Sequence, residues 1–143
     1  MCGIFGVISE NALDESFLRN SDLVFDSLKH RGPDSNGKYI TEKSILIHTR
    51  LAIIEIEKNL QPVTTKDGRY TLIFNGQIFN YKELNKELSN FGYLVEGKGD
   101  AETLLYSYLK WGDNVCNYLN GMFAFAIYDS RENSIFLARD RLG

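Results

Sequence analysis

Apolar and polar positions along this chain follow two periods, and the places where the period changes divide it into strands and helices. Ile4, Phe5, Val7 and Ile8 form a β-favouring run with Gly3 and Gly6 between them, so Met1 to Ser9 predicts a buried first strand. From Asp14 to about His30, Phe17, Val24 and Leu28 fall on one helical face with Leu13 and Phe25 beside it, and Pro33 forbids continuation soon afterwards. A single amphipathic helix is expected there.

Asn36-Gly37 reads as a turn, and Tyr39 to Thr41 and Ser44 to His48 read as strands reversing at Glu42-Lys43. Lys66-Asp67-Gly68 is a second turn signal, followed by a strand from Tyr70 to Phe74 that stops at Asn75-Gly76. Asn80 and Glu83 have the spacing of a capping box, opening a helix whose buried stripe is Tyr81, Leu84, Leu88 and Phe91 and which Gly92 ends. Asp100 is placed to start another helix, with Leu104, Leu105, Tyr108 and Leu109 inward and Gly112 as its breaker. Met122 to Tyr128 and Ser134 to Ala138 predict a further hairpin around Ser130 to Asn133. Strands thus come in pairs, without strict β-α alternation, which favours antiparallel sheet packed on helices: an α+β fold in one domain spanning 1–143.

Composition narrows the functional classes. A hydrophobic fraction of 43%, 24% charged residues and a formal net charge of -3 describe an ordinary soluble domain with no basic surface to follow a phosphate backbone, so nucleic acid is not an expected partner. No apolar run is long enough to suggest a membrane span, and the start lacks the basic flank of a secretory signal, so a cytoplasmic location is expected. The two cysteines, Cys2 and Cys116, are too few for a disulfide framework, and no Cys/His cluster has zinc spacing, so no metal is expected.

Cys2 is the sharpest chemical feature. Removal of Met1 would place a thiol and a free amine on one residue; amines of this kind titrate near 8 and thiols near 8.5, so the amine could take the thiol proton and later return it to a leaving amine. A small apolar residue in a buried strand is the plain alternative. Asn75-Gly76 could supply a side-chain amide and an unhindered N–H, the two donors of an oxyanion hole, although taken alone the pair reads first as an ordinary turn. Arg50 offers a planar fork for a carboxylate or a surface ion pair. Asp100 could hold an ammonium group or simply cap a helix. His30 and His48 raise a Cys–His dyad, against which stands the ordinary structural histidine.

The order of the motifs changes the balance. MCGIFGVI at the start, RGPDSNG at Arg31–Gly37, HTRLAIIE at His48–Glu55, QP at Gln61-Pro62, NGQIFNYKEL at Asn75–Leu84, GDAETLL at Gly99–Leu105, and LNGMFAFAIYD with LARDRLG at the end resemble the N-terminal glutaminase domain of glutamine-dependent asparagine synthetases. The resemblance implies a class II amidotransferase of the N-terminal-nucleophile hydrolase type, a four-layer αββα sandwich of two antiparallel sheets flanked by helices. It further implies that Cys2 attacks the glutamine side-chain amide, that Asn75 and Gly76 hold the oxyanion, and that Arg50 grips the substrate carboxylate. Leu51, Ala52, Ile53 and Ile54 would line the pocket, and Asp100, with Gln77 where the family usually has Glu, would meet the substrate ammonium.

Relatives continue beyond Arg141-Leu142-Gly143 into the rest of this domain and a synthetase domain. The chain is therefore expected to be a C-terminally incomplete glutaminase domain with open sheet surface, and a homo-oligomer or a separate synthetase chain is an expected partner. Glutamine is the expected substrate, with no cofactor for its hydrolysis, and ATP and Mg are expected only in the absent synthetase domain. A non-catalytic glutamine-binding or regulatory remnant is the alternative, motivated by Gln77 and the missing sequence.

Overall fold

Strand β1 (Gly3–Ile8) runs antiparallel to β3 (Ser44–Arg50), which also pairs with β2 (Ser35–Ile40), so the first sheet has the order β1-β3-β2. The computed structural model describes residues 2–51, 60–96 and 99–143. The second sheet has the order β4-β5-β6-β7, from β4 (Val63–Thr64), β5 (Tyr70–Ile78), β6 (Gly121–Asp129) and β7 (Ser134–Arg139), again antiparallel throughout.

Side-chain alternation explains how the layers stack. Every residue of β3 is buried. Its Leu46 packs with Ile73 of β5 and with Ala126 and Tyr128 of β6, which puts the even-numbered residues of β3 between the sheets. On the other face, Thr49 Oγ1 donates to the Leu28 carbonyl at 3.3 Å, so the odd-numbered residues meet α2 (Ser21–Leu28). The second sheet divides likewise. Leu72, Phe74 and Ile78 of β5 and Phe123, Phe125 and Ile127 of β6 join Leu84 of α3 (Tyr81–Asn90) and Ala101, Leu104 and Leu105 of α4 (Asp100–Trp111) in the larger core. Helix, sheet, sheet, helix is the resulting order, the αββα stack that the resemblance implied.

Four local expectations are corrected. The segment predicted as one helix is two, α1 (Glu15–Arg19) and α2, because Asn20 stands at φ -81°, ψ 0° between them and accepts the Leu23 N–H at 3.0 Å; Phe17 is left exposed. Asn36-Gly37 is not a turn but the middle of β2, opposite Thr49 and His48. Its glycine answers a close approach: a Cβ at Gly37 would collide with the Gln61 carbonyl oxygen. The capping box does not form, since the Asn80 side chain instead accepts from Asn120 N at 2.9 Å and donates to the Tyr118 carbonyl at 2.9 Å. Phe91 is exposed at the end of α3, under the Lys110 ammonium.

Among the described residues β1 and β7 each have one edge without a neighbouring strand. Between them lies a cavity of about 330 Å³ lined by Ile4, Ala124, Ala126, Leu137 and Arg139, and Leu137, on the inward face of β7, is 68% exposed. Apolar sheet surface is open there.

Candidate active site

The register of the first sheet gathers the candidate residues of its two ends. Gly3 pairs with Thr49 and Ile4 with His48, so one further step brings Cys2 opposite Arg50, and Arg50 pairs with Ser35 on its other side. Ile4, Leu46 and Tyr39 of the same alternating set pack between the sheets. By that parity Cys2, Arg50 and Ser35 form the last row of the inner face, with His48 in the row before it. Cys2 is half-buried. Arg50 is buried at 6% exposure, and its carbonyl accepts the Asp34 N–H at 3.0 Å, which fixes the RGPD loop to the end of β3.

The second sheet contributes from β5. Its register with β6 is continuous from Tyr70↔Asp129 to Ile78↔Gly121, so Asn75 and Gly76 lie within the strand, opposite Ala124 and Phe123, and the expected turn is not formed. Asn75 shares its face with Ile73 and Ala126, between the sheets; Phe74 and Ile78 face the helices. Gly76 has φ +150°, and a Cβ on it would collide with the Met122 carbonyl, so this strand position accepts only glycine.

Alternation of the backbone N–H groups then locates an edge that is open among the described residues. Phe74 N–H is taken by Gln61 Oε1 at 2.7 Å and Ile78 N–H by Asp100 Oδ2 at 3.0 Å, neither of them on β6. Gly76, halfway between, directs its N–H from the same edge, beyond the point where β4 ends. The Asn75 amide and the Gly76 N–H are thus carried by consecutive residues of a paired strand, a rigid mounting for two donors.

Asp100 opens α4 next to this edge. Burial raises its pKa, against hydrogen bonds from the backbone N–H groups of Ile78, Asp100 and Ala101 that lower it. A cation beside it would favour its charged form. Gln77 is exposed, on the face of β5 that holds Asn75 and opposite Met122. Leu51 is exposed directly after β3, and Ala52, Ile53 and Ile54 lie outside the described residues. Cys116 is remote in function: its 3-10 turn (Gly112–Asn117) packs on the helix side of the second sheet, and burial pushes its thiol up. Both cysteines are free. Among the described residues no group of three His, Cys, Asp or Glu could hold a metal ion.

Two residues of this neighbourhood carried no role in the sequence reading. Gln61 occupies the place on the β5 edge that a longer β4 would have filled. His48, read as an ordinary structural histidine, is buried at 1% exposure; its ring lies by the Phe74 backbone, and Nε2 has no partner among the described residues. Burial lowers its pKa from 6.5 to about 4, the Phe74 hydrogen bond opposing and the Arg50 charge assisting. Its place in a strand that is buried on both faces was the available signal.

Comparisons with known proteins bear on the family and the fold. The family described as "Glutamine amidotransferase domain" matches residues 1–143. Similar curated proteins are asparagine synthetase [glutamine-hydrolyzing] 3 of Bacillus subtilis (strain 168), 39% identical over the whole chain, a probable asparagine synthetase [glutamine-hydrolyzing] of Dictyostelium discoideum, 40% identical, and asparagine synthetase B [glutamine-hydrolyzing] of Escherichia coli (strain K12), 37% identical. The match covers 24%, 26% and 26% of their lengths respectively, so the chain spans about a quarter of each. Among solved structures, glutamine phosphoribosylpyrophosphate amidotransferase of B. subtilis superposes with a TM-score of 0.73 over 98% of this chain and 37% of its own, at 20% identity. That likeness bears on the fold alone.

Proposed function

The chain belongs to the family of glutamine amidotransferase domains, and on that premise we propose that it hydrolyses the side-chain amide of glutamine, with Cys2 as nucleophile. Two observations support the reading: the register that sets Cys2 opposite Arg50 on the inner face of the first sheet, and, on the second, Asn75 on the inner face with Asp100 tied to the β5 edge from which the Gly76 N–H points.

In this reading the α-amine of Cys2, free once Met1 is removed, takes the thiol proton, and the sulfur attacks the amide carbon. Negative charge gathers on the amide oxygen, where the Asn75 side chain and the Gly76 N–H stabilise it. Collapse breaks the C–N bond, ammonia departs with the proton returned by the α-ammonium, and a thioester remains on Cys2. Water then attacks that thioester to give glutamate. Arg50 binds the substrate carboxylate through its fork, while Asp100, assisted by the acceptor oxygen of Gln77, binds the substrate ammonium. A half-buried carboxylate whose charge is disfavoured gains from such a cation, which is why Asp100 suits the task.

Ammonia would pass to a synthetase domain or chain, as the names of the asparagine synthetases suggest for those relatives. The steps above use only protein groups and water. No helix among the described residues is long and apolar enough to cross a membrane, and a nucleophilic thiol calls for a reducing compartment, so we place the reaction in the cytoplasm. The test is mass spectrometry of the mature N-terminus after incubation with a glutamine-analogue alkylator. Loss of Met1 and label on Cys2 are expected; an unlabelled Cys2 in a chain that lacks Met1 would overturn the reading.

A further inference from the structure

Both backbone groups that Phe74 directs away from β6 meet side chains. The N–H goes to Gln61 Oε1 at 2.7 Å, and the carbonyl side lies by the His48 ring. Nε2 of that ring has no partner among the described residues, which leaves Nδ1 as the nitrogen to meet the carbonyl. β4 begins at Val63, opposite Leu72, so among the described residues no strand reaches Phe74 from that side. Gln61 and His48 take the place of the missing ladder.

The residue so held is the one before Asn75 and Gly76. A strand edge without a partner frays, and displacement of a donor by an ångström costs catalysis heavily even where the fold survives. We propose that His48 and Gln61 are positioning residues for the oxyanion hole, clamping the Phe74 carbonyl and N–H so that the Asn75 amide and Gly76 N–H keep their aim. His48 anchors the clamp to β3, the strand that ends at Arg50, so the oxyanion donors and the carboxylate-binding fork are set against one another by a single ring. This rests on the reading of Asn75 and Gly76 given above. Burial keeps the imidazole neutral at physiological pH, which keeps a second positive charge away from Arg50.

The test separates the two ring nitrogens. Asparagine places an amide donor near the position of Nδ1, glutamine near that of Nε2. In the full chain, His48→Leu is expected to lower kcat for glutamine hydrolysis about 30-fold or more, part of the roughly 10²- to 10³-fold cost of losing an oxyanion donor outright, with KM changed less than about threefold. His48→Asn should recover most of that loss and His48→Gln little of it. Gln61→Leu should lower kcat about tenfold, and Gln61→Glu, which keeps the acceptor, should lower it less. Amide hydrogen exchange over 72–78 should speed up in His48→Leu and return towards wild type in His48→Asn.

A wild-type chain that does not hydrolyse glutamine would count against the proposed function, and the exchange measurement then decides the clamp by itself. Equal kcat in wild type and His48→Leu, equal recovery by Asn and Gln, a loss confined to KM, or exchange over 72–78 that ignores His48 would each overturn the inference. Should His48→Leu fail to fold, the Gln61→Leu and Gln61→Glu pair decides by the same kcat comparison, and equal rates for the two would overturn it.

Discussion

The Asp100 carboxylate accepts the Ile78 N–H at 3.0 Å, tying the first residue of α4 to the open edge of β5 one alternate position beyond Gly76. Residues 22 apart in sequence are thereby joined, and a half-buried acid is brought to the strand edge that carries the backbone donor proposed for the oxyanion.

Asp100→Asn keeps an acceptor for Ile78 and removes the charge. Because burial raises the Asp100 pKa, its ionised form is the one that folding disfavours at neutral pH, so neutralising it should leave Tm at pH 7 unchanged or higher. KM for glutamine should rise about tenfold or more through the lost ammonium partner. Gln77→Glu should move KM the other way. An unchanged KM in Asp100→Asn would remove this residue from the substrate site.

Cys2→Ser should leave less than about one tenth of wild-type glutaminase activity in a chain that melts normally, since a hydroxyl lies too far in pKa from an amine near 8 to be activated by it. Cys116→Ala, on the far side of the second sheet, should retain turnover. Labelling at Cys116 instead of Cys2 would reverse the assignment.

Arg50→Lys should raise KM with kcat less affected, because an ammonium cannot reproduce a bidentate grip on a carboxylate. Steady-state kinetics on glutamine decide it. The same KM in both proteins would mean that the buried guanidinium at the end of β3 serves the fold alone.

Gly76→Ala should cost about 2 kcal/mol or more of stability, since the residue combines φ +150° with a position where a Cβ would strike the Met122 carbonyl. Urea unfolding at pH 7 provides the check. Wild-type stability in this variant would show that the β5–β6 ladder relaxes easily at the point proposed to hold the oxyanion.

His48 makes stability depend on pH. Its folded pKa of about 4 lies below the unfolded 6.5, so between these values the unfolded chain binds the extra proton. The contribution is complete above pH 6.5 and is lost as pH falls towards 4, about 3.5 kcal/mol in all at 1.4 kcal/mol per unit. Urea unfolding at pH 7 and pH 4.5 should therefore give a smaller difference for His48→Asn than for wild type. Equal differences would mean that His48 is protonated in the fold at mildly acidic pH.

Much of the fold was legible in the chain because the signals are local. Period-two runs such as Ile4 to Ile8 and Phe123 to Ile127, and helical stripes such as Leu84 with Leu88 and Leu104 with Leu105, bury one face each whatever lies opposite, and so they announce strand or helix without the partner being known. Where the reading went astray, a local signal had a distant cause. Asn36-Gly37 and Asn75-Gly76 look like turns, yet in each pair the glycine sits inside a strand, where the Gln61 or Met122 carbonyl leaves no room for a Cβ. Asn80 looks like a cap, and its amide is claimed by Tyr118 and Asn120 across the β6 entry.

The candidate site divides along the same line. Motif order alone singled out Cys2, Arg50, Asn75, Gly76, Gln77 and Asp100 and pointed to the family, because residue identities that carry chemistry are written in the chain directly. How they are placed was decided only by register and edges: Cys2 opposite Arg50 follows from Gly3 pairing with Thr49, and the outward N–H of Gly76 follows from Phe74 and Ile78 giving theirs to Gln61 and Asp100. His48 and Gln61 could not be assigned from sequence, since their partner is the backbone of Phe74. A backbone carbonyl and N–H look the same at every position of a sequence, and only a β4 that stops two residues short makes this pair need side chains to satisfy it.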